Sequence, residues 1–173
     1  MNVDLVSVTQ PVSRLVDKGI SSADDLIAYI ARVSNPSNQI NTLTAPKLIK
    51  YLTKHRHWSP FEMTDMCVEI KTSRAIAAQI LRHRSFSFQE FSQRYSNVDT
   101  LEDIEWRAQG KTNRQVGDEP IELDKQLDHS ISQHLDNSLV LYKELLTQGV
   151  AKECARNILP LTTETTMYMK GSF

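Results

Sequence analysis

The stretch "RHRSFSFQEFSQRYS", Arg82 to Ser96, sets two arginines around a histidine and follows them with three phenylalanines, four serines, a glutamate and a third arginine. The chain around it has a formal net charge of −1. Nothing global therefore draws the protein to nucleic acid or anionic lipid, and any anion site has to be local. Arginine is planar, permanently charged and shaped to grip phosphate oxygens in pairs. Arg82 and Arg84 around His83 can surround a pyrophosphate or a polarised carbonyl. Ser85, Ser87 and Ser92 add neutral donors, and Glu90 can accept from a sugar hydroxyl or a base N–H. Gln79 adds an amide one helical turn earlier. There is no glycine-rich loop, which excludes a P-loop or a dinucleotide fingerprint. There is also no nucleophile paired with a base. These residue types suit a nucleotide held by side chains and a serine-rich turn. The plain structural alternative is a helix end whose arginines complement its dipole, with the phenylalanines in the core and the serines outside.

Outward from this stretch the chain reads as mixed α and β. "VDLVSVT" (Val3–Thr9) alternates apolar and polar residues and predicts a first strand. "SSADDLIAYIARVS" opens with capping residues and then repeats Leu26, Ile27, Ile30 and Val33 at helical spacing, until "NPSN" breaks it. "TAPKLIKYLTKH" predicts a second short helix with Pro46 near its first turn. Met66, Val68 and Ile70 alternate as in a half-buried strand. Ser73 can cap the next segment, "RAIAAQILRHR", which is apolar nearly all round and is expected in the interior, ending in Arg82, His83 and Arg84. "TLEDIEWRAQGKTNRQVGDEP" has no period and is expected to be a long loop, either a lid or disordered. A long helix, about 122–148, should end at Gly149. "AKECARNIL" predicts a short helix closed by Pro160, and "TTETTMYMKGSF" a final strand.

The 173 residues are enough for one domain with a real core. The apolar and charged fractions, 40 % and 24 %, are those of an ordinary globular chain. No apolar run approaches the roughly 18 residues of a membrane span, and the N-terminus has no secretory pattern. Cys67 and Cys154 are the only cysteines, without metal or redox spacing; both read as small buried hydrophobes in a reduced, cytoplasmic protein. His55 and His57 read as a solvated helix end, and no metal site is expected. Arg156, set in a short, largely apolar helix, is less comfortable there, and a paired or ligand-bound role stands beside the plain structural one.

"RHRSFSFQEFSQRYS" resembles the signature of flavin-dependent thymidylate synthases, Arg-His-Arg, seven residues, then Ser-x-Arg. Arg82, His83, Arg84, Ser92 and Arg94 fill all five places. "ARVS" (Ala31–Ser34), "HRHWSPFEM" (His55–Met63) and "CARNILP" (Cys154–Pro160) resemble further elements of that family in the same order. The resemblance implies a single α/β domain over 1–173, with a mostly antiparallel sheet flanked by helices. It implies a homotetramer with shared active sites. The implied reaction converts dUMP to dTMP, with carbon from 5,10-methylenetetrahydrofolate and hydride from FAD reduced by NADPH. Ser59, Arg82, His83, Arg84 and Glu90 would contact FAD, with His57 and Ser34 nearby. Gln79, Arg82, Glu90, Phe91, Ser92, Gln93, Arg94 and Arg156 would hold dUMP, with Ser92 beside the reacting uracil.

The family's pattern continues past Phe173, through an Asn-x-Arg-Ser segment and further helices to the arginine credited with helping ionise the uracil. Ser172 stands where the family usually has Asn. A fragment, one half of a split enzyme, or a homologue that binds nucleotide without turnover are the expectations that follow. Two readings compete with the synthase. In one, Phe86, Phe88 and Phe91 among basic residues stack on single-stranded nucleic acid, against which the near-zero net charge argues. In the other, the chain is a non-catalytic subunit.

Overall fold

A computed structural model describes residues 1–173. Strand β1 spans Asn2–Val8, the alternating segment expected, and a single turn, α1 (Ser13–Val16), follows it. Helix α2 runs Ala23–Ala31 behind a reciprocal cap: the Ser22 hydroxyl accepts from the Asp25 N–H, and the Asp25 carboxylate accepts from the Ser22 N–H. The break at "NPSN" is a 3-10 turn, Pro36–Asn38, and α3 covers Ala45–Lys54 with Pro46 in its first turn. Strand β2 (Asp65–Ser73) buries Val68 and Ile70, as its period requires. After it come α4 (Arg74–Ile80), β3 (Ser87–Glu90), β4 (Arg107–Gln109) and β5 (Gly117–Pro120). The chain finishes with α5 (Lys125–Thr147), α6 (Lys152–Ala155) and β6 (Glu164–Ser172).

Four strands form one sheet in the order β1-β2-β6-β3. Its neighbours run antiparallel. At one end of β1 and β2 the Thr9 N–H bonds the Asp65 carbonyl at 2.9 Å. At the other, the Met1 ammonium and the Ser73 N–H share the Glu102 carboxylate. Bonds from the Phe173 N–H to Thr64 and from the Arg74 N–H to Thr163 set β2 against β6 in the same sense. Phe91 bonding Thr166, with Phe86 against Gly171, does so for β6 and β3. Cross-strand pairs add to the ladder: the Tyr168 hydroxyl donates to Glu69 at 2.7 Å, and Lys170 meets Asp65 at 3.1 Å. The α/β architecture with an antiparallel sheet is the one the sequence predicts.

The chain groups into two compact units. The N-terminal unit holds Asn2–Ile70, His83–Gln89 and Met167–Phe173; the long-helix unit holds Lys71–Arg82 and Glu90–Thr166 with Met1. The core of the N-terminal unit is Ile27, Leu52 and Phe61, with Ala31, Leu48 and Ile49 against them. In the long-helix unit Val98, Tyr142 and Ala155 are buried together, with Phe91 and Leu159 packed on them. Helix α5 ends as its glycine dictates. Gly149 takes φ +83°, the Val150 N–H bonds the Leu145 carbonyl, and the Gly149 N–H bonds Leu146, a Schellman closure.

Five expectations are corrected. Helix α4 is not interior: only Ala77 is buried along it, and Ile76 is 39 % exposed. It is also short. The Leu81 N–H closes the last α-type bond on Ala77, and the Arg82 N–H turns to Gln79, so Arg82, His83 and Arg84 lie past the helix. Ser73 makes no side-chain cap, because the first free N–H groups of α4, at Arg74 and Ala75, bond the carbonyls of Thr163 and Leu161. The expected long loop contains the antiparallel pair β4–β5 and a bridge from Leu101 to Thr163. Cys154 is exposed, on the outer side of the single turn α6, while Cys67 is half-buried.

Candidate active site

Glu90 closes β3 in the long-helix unit, and two side chains hold it. Arg74 pairs with its Oε1, and the Thr165 hydroxyl donates to the same oxygen at 3.0 Å. The carboxylate is thereby oriented, with Oε2 left to accept from elsewhere. After Glu90 the chain bonds β6 once more, through the Phe91 N–H, and then turns: the Ser92 carbonyl accepts from the Tyr95 and Ser96 N–H groups, both at 3.0 Å. Phe91 points into the Val98–Tyr142–Ala155 core, which fixes the turn's root. Ser92 is exposed at its tip. Gln93 is only 8 % exposed, and its amide nitrogen has no acceptor, an unmet donor of the kind folded proteins rarely leave.

The same turn is tied to the segment that bears Arg156. Arg94 pairs with Glu153 at 3.2 Å, and the Lys152 ammonium donates to the Tyr95 carbonyl at 2.7 Å. Ser-x-Arg and Ala-Arg-x-x-Leu-Pro, some sixty positions apart, are thus brought together. Arg156 is half-buried at the start of a 3-10 turn, Arg156–Ile158, and its guanidinium has no protein partner. Gln79 and Arg82, also of this unit, are exposed, and neither side chain is paired.

In the N-terminal unit the "ARVS" and "SPFE" elements meet through their apolar residues, Ala31 packing on the cluster that contains Phe61. Arg32 is buried and committed, donating to the Asn41 carbonyl and, at 2.7 Å, to the Thr44 hydroxyl. That pins the loop carrying Ser34, which is exposed, as is Ser59. His57 follows a Schellman end to α3 in which Arg56, not glycine, takes the left-handed position at φ +56°. This turn sets both histidines about Tyr51, His55 at 4.2 Å and His57 at 6.2 Å between ring centroids. His83 and Arg84 lie exposed in the turn before β3, and the His83 ring sits 4.8 Å from Phe86.

Several residues that build these positions carry no motif. Arg74 and Thr165 orient Glu90, and Lys152 and Glu153 tie down the Ser92–Arg94 turn. Glu102 anchors the start of α4, accepting from the Ser73 N–H at 2.6 Å and from the Met1 ammonium at 2.7 Å. Partial burial pushes its carboxyl up, and those bonds more than offset it, so its pKa lies below the ordinary 4.5. The sequence reading singled out none of this set; it placed Thr165 in the final strand without marking it as part of a site.

The family model described as thymidylate synthase complementing protein matches residues 14–173. A probable flavin-dependent thymidylate synthase of Paramecium bursaria Chlorella virus 1 is 51 % identical, covering 99 % of this chain and 79 % of the viral protein. A flavin-dependent thymidylate synthase of Synechocystis is 48 % identical, covering 99 % and 80 %. Among solved structures, a UMP/dUMP methylase, PolB from Streptomyces cacaoi, bound with 5-bromo-dUMP, superposes with a TM-score of 0.77 at 26 % identity, over 99 % of this chain and 73 % of that one. The match extends through every motif described above, from "ARVS" to "CARNILP", and on this extent the chain belongs to the flavin-dependent thymidylate synthase family.

Proposed function

We propose that this chain methylates dUMP to dTMP, taking the carbon from 5,10-methylenetetrahydrofolate and the reducing equivalents from NADPH through FAD. The observation that carries the reading is the tie between the Ser92–Arg94 turn and the Arg156 segment. It ties the turn that bears Ser92, Gln93 and Arg94 to the segment that bears Arg156, within the long-helix unit. That set suits a nucleoside monophosphate. Arg94 and Arg156 grip the phosphate, Gln93 donates to a carbonyl or hydroxyl, and Ser92 stands beside the uracil. Glu90, oriented by Arg74 and Thr165, accepts from a base N–H or a sugar hydroxyl.

The donor set also fits FAD. Arg82 and Arg84 are exposed and pair with no carboxylate of the fold, so a pyrophosphate meets uncommitted cations. His83, Ser59, His57 and Ser34 supply ring and hydroxyl contacts. FAD, when bound, supplies the hydride chemistry. The chain's own part is positioning, electrostatics and exclusion of water, a scheme that needs no nucleophilic cysteine: Cys67 lies in a strand, and Cys154 has no neighbouring histidine in the sequence. Exposed apolar residues on β1 and α4 support assembly with further copies, as a homotetramer with shared sites requires.

The test is a visible spectrum of the chain after FAD loading and desalting, first alone and then with dUMP. A retained flavin band that shifts on adding dUMP is expected. A chain that keeps no flavin, or a band indifferent to dUMP, would overturn the assignment. Oxidation of NADPH that depends on dUMP and the folate then separates turnover from binding.

A further inference from the structure

Gly171, near the end of β6, lies under the Phe86 ring so closely that a Cβ there would overlap the ring atoms Cδ1 and Cε1. Its φ is not in the left-handed region, so backbone freedom is not what it provides. What it provides is space. Phe86 in turn has His83 at 4.8 Å on one side and Phe88 edge-on at 6.4 Å on the other. The Phe86 N–H closes the turn on the His83 carbonyl at 3.5 Å. The turn that carries His83 and Arg84 is otherwise exposed and has no side-chain hydrogen bond of its own. Its one firm anchor is the aromatic ring seated on a strand where no side chain stands.

We infer that Gly171 and Phe86 are positioning residues: the missing side chain at 171 lets Phe86 dock on β6, and the docked ring holds His83 and Arg84 in the orientation that receives the flavin. The inference deepens the flavin reading above and rests on it. Phe86 is half-buried, which suits a ring that works as a clamp between strand and turn. Sequence alone assigns the three phenylalanines to core or to base stacking; here they divide, Phe91 to the core of the long-helix unit and Phe86 to the turn.

The experiment uses the full chain as wild type, Phe86→Ala, Gly171→Ala and the double variant. Two readouts are taken: the proton and carbon resonances of the His83 ring without flavin, and FAD affinity by titration. Each single substitution should move the His83 resonances and weaken FAD binding about tenfold, the worth of one aromatic pair. The double variant should match Phe86→Ala alone, since an added methyl then has no ring to meet. This comparison also covers a Gly171→Ala chain that folds poorly, because the double variant regains the space. A purely structural glycine would lower the melting temperature of Gly171→Ala and leave the His83 resonances and the FAD affinity of the folded fraction unchanged, which would overturn the inference. Moved resonances with unchanged FAD affinity would overturn it as well. If the wild type binds no FAD, the flavin reading fails. His83 resonances that still follow Gly171→Ala would nonetheless establish the glycine as what seats the turn.

Discussion

Arg82 and Arg94 belong to one motif and meet different surroundings. Arg82 is exposed and unpaired, so its loss costs the fold nothing that a contact could have supplied. Arg82→Ala should therefore keep its circular dichroism while FAD affinity falls by about 2 kcal/mol, roughly thirtyfold, the worth of charge-assisted bonds to a phosphate. Normal flavin content in that variant would sink the assignment of Arg82. Arg94 already has an anion in Glu153, both side chains being more than half exposed. A substrate phosphate has to displace that carboxylate. Glu153→Gln should tighten dUMP binding, by only about twofold because an exposed pair is weak, and by less as salt rises. Weaker dUMP binding in Glu153→Gln would instead mean that the carboxylate orients Arg94 for the phosphate. At this scale the sequence was legible wherever chemistry demands a residue type at a fixed spacing. It was silent on Arg74, Thr165 and Gly171, whose roles come from long-range register between β6 and its neighbours, which no local spacing encodes.

At the scale of elements, legibility followed hydrophobic period. β2 and α2 bury residues at their period and read clearly, while α5 read from its length and closing glycine, with only Ser138 and Tyr142 buried along it. The hairpin β4–β5 buries almost nothing, with all four residues of β5 exposed, so it left no alternation to read. It is made by backbone: Gly110 and Gly117 admit carbonyls and the Arg107 side chain closer than a Cβ would allow. Helix α4 misled because its apolar composition reads as burial, whereas only Ala77 is buried along it. Its anchor yields a pH prediction. The Glu102 pKa lies below the ordinary 4.5 in the folded chain, so its bonds to Ser73 and Met1 contribute stability above that value. The contribution is lost as pH falls below 4.5 and through the folded value. Glu102→Gln should be less stable than wild type at neutral pH, and the two should converge under acid. Melting curves from pH 7 to pH 3 check this, and a constant gap across the range would remove Glu102 as the acid-labile anchor.

At the scale of the whole molecule, large apolar side chains stand exposed on several elements. Val3, Leu5 and Val6 on β1 are 52 %, 63 % and 53 % exposed, and β1 lies at an end of the sheet order. Val140 and Leu141 on α5 are 51 % and 53 % exposed, and α4 adds Ile76. Single exposed leucines are ordinary; several of them on one strand and one helix are what an assembly surface would need. An open strand edge would also invite uncontrolled pairing if nothing occupied it. The family resemblance implies four copies, and the exposed surfaces are what four copies would bury. The chain should therefore sediment at four times 19.7 kDa. Leu141→Glu, which puts a charge where a partner's apolar surface is expected, should shift it toward smaller species while leaving its helical content unchanged. If the wild type sediments as a 19.7 kDa monomer at every concentration, no second copy covers these faces, and a site shared between copies goes with it. If Leu141→Glu stays at the wild-type mass, α5 turns that residue to solvent, and β1 and α4 are left as the contact surfaces.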